Sequence, residues 1–307
     1  MPISSSRCAS RAPGFRARIA SRCALGLLIV LAHTRAFADW EVDGSAGALY
    51  DDNLTRAANA PDERAAGAAT VNASAVSFVP LAGSDGVTLT LYGRAELFDR
   101  YHGLTNLTVG GIAAYRHKFG IGNVAPWVAI SVDGSYDNFR DDLRTSSRLD
   151  IRGETGKRFS EQLDASVGLY YERRYDSHGE PVVPGISGKV FDLRGQGAFM
   201  RAGYAATNEL YFDARAGVRR GDVESTSQQS LPIFLASSAI ASDPVWGDPN
   251  LYAYRLRGTT STGDLTASYA TSTQSSVDIV YRYGFTRAAQ SLEYTTNAIF
   301  LTFDYRF

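Results

Sequence analysis

Apolar and polar residues alternate at every second position through much of the chain. In segment 209–220, Leu210 and Val218 share one parity, whereas Asp213 and Arg219 share the other. Successive side chains of a β-strand point to opposite faces, so this period predicts strands that have one apolar and one polar face. The pattern therefore predicts an all-β fold.

Turn-like stretches divide this pattern into twelve alternating segments. A tilted strand of about 9–11 residues crosses a bilayer, and transmembrane barrels show alternating segments of about that length. The tenth segment is too long for the membrane alone and is predicted to project outside it or to carry a bulge. The twelve predicted strands cover residues 40–50, 67–79, 87–98, 107–118, 126–136, 147–158, 163–175, 190–200, 209–220, 252–270, 276–286 and 296–307.

The connections between these segments fall into two groups by length. Those after residues 79, 118, 158, 200 and 270 are short, whereas the others vary more. If both chain ends lie on one side of the membrane, every short link lies on that side too, as transmembrane barrels require. Because a bilayer core cannot hydrate an open sheet edge, the strands must close on themselves. The sequence therefore predicts a closed antiparallel up-and-down transmembrane β-barrel of about 12 strands.

Aromatic residues near the predicted strand ends fit the same placement. Tyr and Phe rings concentrate where a bilayer meets water, because an apolar ring can lie at headgroup level. Such residues would form two interfacial girdles around the barrel. The residues predicted to form them are Tyr50, Tyr115, Tyr136, Tyr175, Phe199 and Tyr283.

Residues 1–38 have the pattern of a secretory signal peptide. Five arginines precede an apolar stretch at 24–32, which is too short to cross a bilayer as a helix. Ala36, Phe37 and Ala38 then supply the small-x-small pattern of a cleavage site. We therefore expect an exported chain, with a signal peptide at 1–38 and the barrel at 39–307.

Cleavage would change the composition of the chain. Both cysteines, Cys8 and Cys23, lie in the signal segment, so neither a disulfide scaffold nor a thiolate metal site is expected in the mature protein. The segment also holds 6 of the 31 basic residues, which leaves 25 basic against 32 acidic residues. An acidic chain of this kind is not expected to bind nucleic acid. It has no Walker loop, dinucleotide fingerprint or haem attachment motif, so no cofactor is expected.

The last strand ends in aromatic or apolar residues at alternate positions, with a phenylalanine as the final residue. This ending resembles the insertion signal of Gram-negative outer-membrane β-barrel proteins, which the barrel-assembly machinery recognises. The resemblance implies an outer-membrane location, and contact with outer-membrane lipid and lipopolysaccharide. The four residues that match the signal are Leu301, Phe303, Tyr305 and Phe307.

A second, local resemblance covers the first strand and the loop after it, at residues 47–57. The segment reads Gly-Ala-Leu-Tyr-Asp-Asp-Asn-Leu-Thr-Arg-Ala and is similar to the opening of barrels of the surface-lipoprotein-assembly-modifier type. This resemblance implies a role in surface assembly or secretion as an alternative to solute transport.

The polar faces of the predicted strands carry many paired charges, and all but three of the basic residues are arginine. Arginine pairs bidentately with carboxylates of neighbouring strands. One interpretation is a passive channel for small polar solutes with a charged lining; the other is a salt-bridged interior that braces a narrow barrel. The predicted lumen charge ladder comprises Arg148, Asp150, Arg152, Glu154, Glu172, Arg174, Asp213, Arg215 and Arg219. Further inward candidates are Arg94, Glu96, Asp164, Asp192, Arg194, Arg255 and Arg257.

The longest connection runs from 222 to 250 and contains an apolar stretch at 231–235. Apolar residues in an exposed loop are unfavourable in water, so part of this segment is predicted to fold into the barrel mouth as a constriction or plug. A short helix packed over the rim and a disordered loop are the alternatives.

Catalysis is a further hypothesis, because the outer rim carries Asp99 near His102 and Asp176 near His178. Outer-membrane proteases resembling omptins place Asp and His there, so the residues permit a rim-loop hydrolase. Outer-membrane phospholipases use a His-x-Ser pair, which His117 lacks. Acidic rim residues could also bind Ca²⁺ or bridge lipopolysaccharide through divalent ions, but none has the spacing of a ligand loop. The sequence therefore favours a protein that is not an enzyme.

Overall fold

The computed structural model describes residues 40–176 and 178–307. The predicted signal peptide and its cleavage site lie outside these residues. In the described part the chain forms thirteen strands. They are β1 (Trp40–Asp51), β2 (Ala66–Pro80), β3 (Asp85–Phe98), β4 (Asn106–Lys118), β5 (Trp127–Phe139), β6 (Ser146–Arg158), β7 (Leu163–Asp176), β8 (Arg194–Ala205), β9 (Leu210–Ser227), β10 (Ala239–Ser242), β11 (Tyr252–Ala270), β12 (Ser275–Ala288) and β13 (Glu293–Arg306).

Twelve of these strands close into an antiparallel ring. Each strand pairs with its neighbour in sequence, except that β9 pairs directly with β11, and β10 lies outside the ring on β11. The first and last strands close the barrel at a seam in which Ala46 lies opposite Phe303. The prediction of an all-β, closed 12-stranded antiparallel barrel is confirmed.

Ten of the twelve predicted strands match the observed ones to within three residues at each end, and β11 has the predicted bounds. The eighth prediction was wrong by about four residues, because Val190 and Phe191 are buried in a loop before β8 begins. The ninth was too short, since β9 continues to Ser227. This extension pairs with the first residues of β11, so the long tenth predicted strand projects beyond the ring together with its partner.

The outward faces of the strands form an apolar belt. Its side chains remain exposed in the isolated chain, for example Leu169 at 68% and Leu265 at 60%. A water-soluble protein does not expose contiguous apolar surface on this scale, whereas a barrel in lipid requires it. The belt therefore identifies the lipid-facing surface. In the described residues no helix is long and apolar enough to cross a membrane.

Exposed tyrosines border the belt, among them the predicted girdle residues Tyr50 and Tyr136 at 52% and 51% exposure. The prediction for Phe199 was wrong, because this ring is buried and faces the opposite side of β8. Its register partner on β7 is Gly168, where a Cβ would lie only 2.6 Å from two ring atoms, so the ring can lie against the inner wall because Gly168 has no side chain.

The outer-side connections pack together into one structure, which we call the cap (residues 52–65, 99–105, 140–145, 178–193 and 228–251). The last of these segments contains the helix α1 (Leu231–Ala236) and strand β10. Buried residues in the cap and the adjoining strand ends form three apolar clusters. The cap is therefore a packed layer with its own core.

The first connection, 52–65, also fastens the cap to the closing strand. Asn297 on β13 donates from its backbone N–H and its side-chain amide to the two carboxylate oxygens of Asp52, both at 2.7 Å. Asn53 donates to the carbonyl of Thr295 at 3.1 Å. Thr226, on the extension of β9, donates its N–H to the carbonyl of Thr55. The cap thus links the first, ninth and last strands.

Candidate functional site: the barrel lumen

The nine predicted ladder residues share the face opposite the apolar belt. On β6, Arg148 and Arg152 have one parity, while the exposed Ile151 has the other. The same alternation puts Glu172 on the inner side of β7 and Arg219 on the inner side of β9. The strand register therefore brings the ladder together on the inner wall, whereas its role in conduction stays a prediction.

Ion pairs across the inner wall hold several of these side chains in place. Arg219 pairs with Glu172. Arg201 Nε lies 2.5 Å from Asp213 Oδ2, and Arg282 and Asp264 are paired at 2.9 Å. Sequence reasoning missed Arg201, Asp264 and Arg282, although each has the inward parity that could have identified it. The wall carries both signs of charge.

An aromatic ring separates two of the ladder arginines. The guanidinium carbon of Arg215 lies 4.4 Å from the ring centroid of Phe199, and that of Arg152 lies 5.2 Å from it. Each cation interacts with the π-face of the ring, which stabilises it without a carboxylate partner. Phe199 therefore keeps two like charges side by side on the wall.

Two polar cavities lie inside the ring and share Arg148 and Arg174 in their linings. One cavity, of about 310 Å³, is lined from β6 round to β13 and includes Glu172 and Arg219. The other, of about 550 Å³, is lined from β2 to β7 and includes Asp133. The two arginines are register partners on adjacent strands. They stand at the boundary between the cavities.

These two arginines differ in how firmly they are held. Arg174 donates to Ser146 Oγ at 2.7 Å and to the carbonyl of Arg144 at 2.6 Å, so it is anchored to the cap. Arg148 is 44% exposed, and its contacts to Ser135 and Asp137 are longer, at 3.3 and 3.5 Å. Arg148 is therefore the less firmly held of the two charges at the boundary.

A buried ion pair anchors the cap over these cavities. Arg144 donates from Nη1 and Nη2 to the two carboxylate oxygens of Asp243, at 2.8 and 2.7 Å. Asp243 is fully buried and also accepts hydrogen bonds from Thr226 Oγ1 and Trp246 Nε1, both at 2.8 Å. Burial disfavours the charged form of Arg144 and by itself would lower its pKa. The charges and hydrogen bonds of Asp243 and Asp141 outweigh this effect and raise the pKa of the guanidinium above its usual value.

The segment around Asp243 crosses the mouth of the barrel. Trp246 stacks edge-on against Tyr101 with ring centroids 4.9 Å apart, and it packs in one cluster with Leu104. Tyr101 and Leu104 belong to the connection between β3 and β4, which lies on the far side of the ring from β9 and β11. A short helix and a segment that crosses the mouth, which the sequence left as alternatives, occur together in this connection, whereas a constriction of the lumen stays a prediction.

Four of the further inward candidates were placed on the wrong face. Asp192 precedes β8 in the cap and pairs there with Arg173 at 2.7 Å. Arg194, Arg255 and Arg257 occupy strand positions whose side chains point outward. The positions between them, on β8 and β11, are the ones that face the lumen. The face was misassigned because, beyond the apolar belt, the apolar side chains next to these arginines are buried in the protein instead of facing lipid: Leu193 and Leu256 are both buried, and Leu256 packs in one cluster with Ile233.

The remaining predicted residues occupy the expected elements. Leu301, Phe303 and Tyr305 face outward on β13, and the ring of Phe307 stacks edge-on against Tyr305 at 5.0 Å. Recognition of these residues by the assembly machinery stays a prediction.

At the rim, His102 Nδ1 lies 3.0 Å from the carbonyl oxygen of Phe98, and the backbone N–H of His178 donates to Asp176 Oδ1. Within the described ranges no three His, Cys, Asp or Glu side chains are grouped to hold a metal ion.

A closed ring of twelve strands with an apolar exterior and a charged interior defines a transmembrane β-barrel, and its fold is that of outer-membrane channels. An outer-membrane channel from Pseudomonas putida has a similar structure, with a TM-score of 0.56 at 10% identity, over 89% of this chain and 97% of that one. The NanC porin (TM-score 0.46, 6% identity, 86% and 98% covered) and DcaP of Acinetobacter baumannii (0.43, 10%, 89% and 99%) are more distant. No family model and no curated protein matches the sequence.

Proposed function

We propose that the chain is exported by its signal peptide, is inserted by the barrel-assembly machinery, and acts in the outer membrane as a passive channel for small polar solutes. The observation that carries this proposal is the pair of polar cavities inside the ring, which meet at Arg148 and Arg174 beneath the cap. An interior filled by apolar side chains would leave no such space. The Pseudomonas putida protein with a similar structure is an outer-membrane channel, which supports this proposal.

Conductance in planar lipid bilayers tests the proposal directly. We expect the refolded full-length mature barrel to give ohmic single-channel steps, because a polar, hydrated lumen offers ions a continuous path. Silence at all voltages, from protein that shows the heat-modifiable mobility of a folded barrel, would reject a channel function.

The charge of Arg148 is expected to set ion selectivity. Arg148→Glu would place a new carboxylate beside Asp137, which now lies 3.5 Å from the guanidinium. The boundary between the cavities would then favour cations, and we expect the cation-to-anion permeability ratio to rise by about threefold or more. Reversal potentials in a salt gradient measure this ratio.

Lys157→Glu is the matched control, because Lys157 faces outward on the same strand and the change in charge is identical. An equal shift of the reversal potential in the two variants would show that total charge, and not the lumen position, sets selectivity.

A second candidate function is a non-conducting barrel that acts in binding, surface assembly or secretion. The packed cap favours it, because Trp246 and Leu251 reach across the mouth and are buried there with Leu104. In that case the outer surface of the cap would engage the partner. Absence of conductance combined with a stable cap would support this function over the channel.

A further inference from the structure

The outward-facing arginines above the lipid belt form a site outside the lumen. Arg194, Arg220, Arg257 and Arg287 come from four adjacent strands of the ring, β8, β9, β11 and β12. Together they line a cavity of about 780 Å³ on the barrel exterior, and Tyr171 and Gln196 complete the wall. Four cations thus converge where the apolar belt ends.

The charge of this cavity is only partly compensated. Arg287 donates to Glu293 at 2.6 Å, and Arg194 lies 3.9 Å from Asp222. Across residues 40–176 and 178–307, neither Arg220 nor Arg257 has an ion-pair partner, and both are exposed. Two guanidinium groups are therefore available for an anion.

An apolar groove continues from this cavity along the same strands toward the inner end of the barrel. Small residues form its floor, among them Gly153, Ala198, Ala216 and Ser261, and its volume is about 870 Å³. Ala198 follows Gln196 on the outward face of β8, and Ser261 follows Thr259 on β11. The charged cavity and the groove therefore adjoin each other and form the upper and lower parts of one outward-facing feature.

We propose that this feature binds a phosphorylated lipid of the outer leaflet, with a phosphate group on Arg220 and Arg257 and an acyl chain in the groove. Guanidinium groups bind phosphate bidentately, and the level just above the belt is where headgroup phosphates lie. The small residues leave room for a chain that larger side chains would fill. The site does not include the lumen, so its test is independent of conductance.

The test measures lipid binding by the folded barrel in a maltoside detergent, using lipid A, a bis-phosphorylated acylated disaccharide, as the probe and native mass spectrometry as the readout. We expect Arg220→Glu/Arg257→Glu to weaken binding by about 100-fold, because each lost charge-assisted contact corresponds to about tenfold. The double variant Lys157→Glu/Arg158→Glu, at the inner end of the barrel, has the same change in charge and should bind normally. Equal binding by the two double variants would overturn the proposal.

A second comparison separates a lipid from a free phosphate. Ala216→Phe fills the groove with an apolar side chain, so we expect about tenfold weaker binding of lipid A and unchanged binding of inorganic phosphate. Lipid binding unaffected by Ala216→Phe would overturn the lipid assignment, as would inorganic phosphate binding as tightly as lipid A.

If the charge reversals prevent folding of the barrel, Arg220→Gln/Arg257→Gln replaces them, and we again expect weaker binding of lipid A. A dimer that dissociates in these variants, without loss of lipid, would identify a second copy as the occupant and would also overturn the proposal.

Discussion

Asp243→Ala is expected to open the mouth of the barrel and raise its single-channel conductance. The substitution leaves Asp141 as the one carboxylate paired with the buried guanidinium of Arg144, and it removes the acceptor of Thr226 and Trp246. Breaking a buried ion pair costs about 3–5 kcal/mol. That loss corresponds to an increase of about 10²- to 10³-fold or more in the population of the opened cap. Conductance in planar bilayers and the rate of limited proteolysis within 228–251 both report this opening.

Asp142→Ala is the control, because Asp142 is exposed in the same connection as Arg144 and has no side-chain hydrogen bond among the residues described. It should leave conductance and proteolysis unchanged. The heat-modifiable mobility should be retained in both variants, since neither Asp142 nor Asp243 lies in a strand of the ring. A wild-type proteolysis pattern in Asp243→Ala would show that the ion pair does not hold the cap.

Gly47→Ala is expected to weaken the barrel at the seam between its first and last strands. A Cβ at this position would lie 2.2 Å from the carbonyl oxygen of Leu301 and 3.0 Å from the Cα of Thr302. Both atoms belong to the backbone of β13, so no side chain can rotate away, and the two strands must separate. Overpacking of this kind costs about 1–3 kcal/mol or more. Urea unfolding in lipid vesicles should show a lower midpoint.

Gly263→Ala provides the comparison, because a Cβ at Gly263 would meet nothing within 4 Å. Both substitutions add one methyl group to a strand glycine, so the conformational effect on the unfolded chain is the same. The difference between the two unfolding midpoints therefore isolates the seam. Equal midpoints would mean that β1 and β13 can adjust without loss of stability.

The barrel itself was predictable because its cause is local. An apolar side chain at every second position recurs wherever a strand contacts lipid, and the short inner links separate the strands cleanly. The same rule predicted the inward side of Arg148 and Glu172. Its failures occur where lipid contact ends, as at Arg257, whose apolar neighbour Leu256 is buried in a cluster at the cap while the arginine faces outward.

The cap and its role in the site were only partly predictable. The apolar stretch at 231–235 indicated that the longest connection is buried, and the structure places Ile233 in a buried cluster. Nothing local in the sequence pairs Asp243 with Arg144, because 99 residues separate them. Likewise, the position of Phe199 between two arginines depends on the absence of a side chain at Gly168, on a neighbouring strand. Contacts of this kind follow from strand register, which a single sequence does not specify.

The links from Asp52 to Asn297 and from Thr55 to Thr226 give the cap a place in the order of assembly. The contact between Asp52 and Asn297 joins residues near the two ends of the chain, so it cannot form until the final strand has met the first, whereas the contact between Thr55 and Thr226 requires β9. An incompletely closed sheet would leave the connection at 52–65 without its partners on β13. A fully folded cap therefore indicates that the barrel within the membrane has closed.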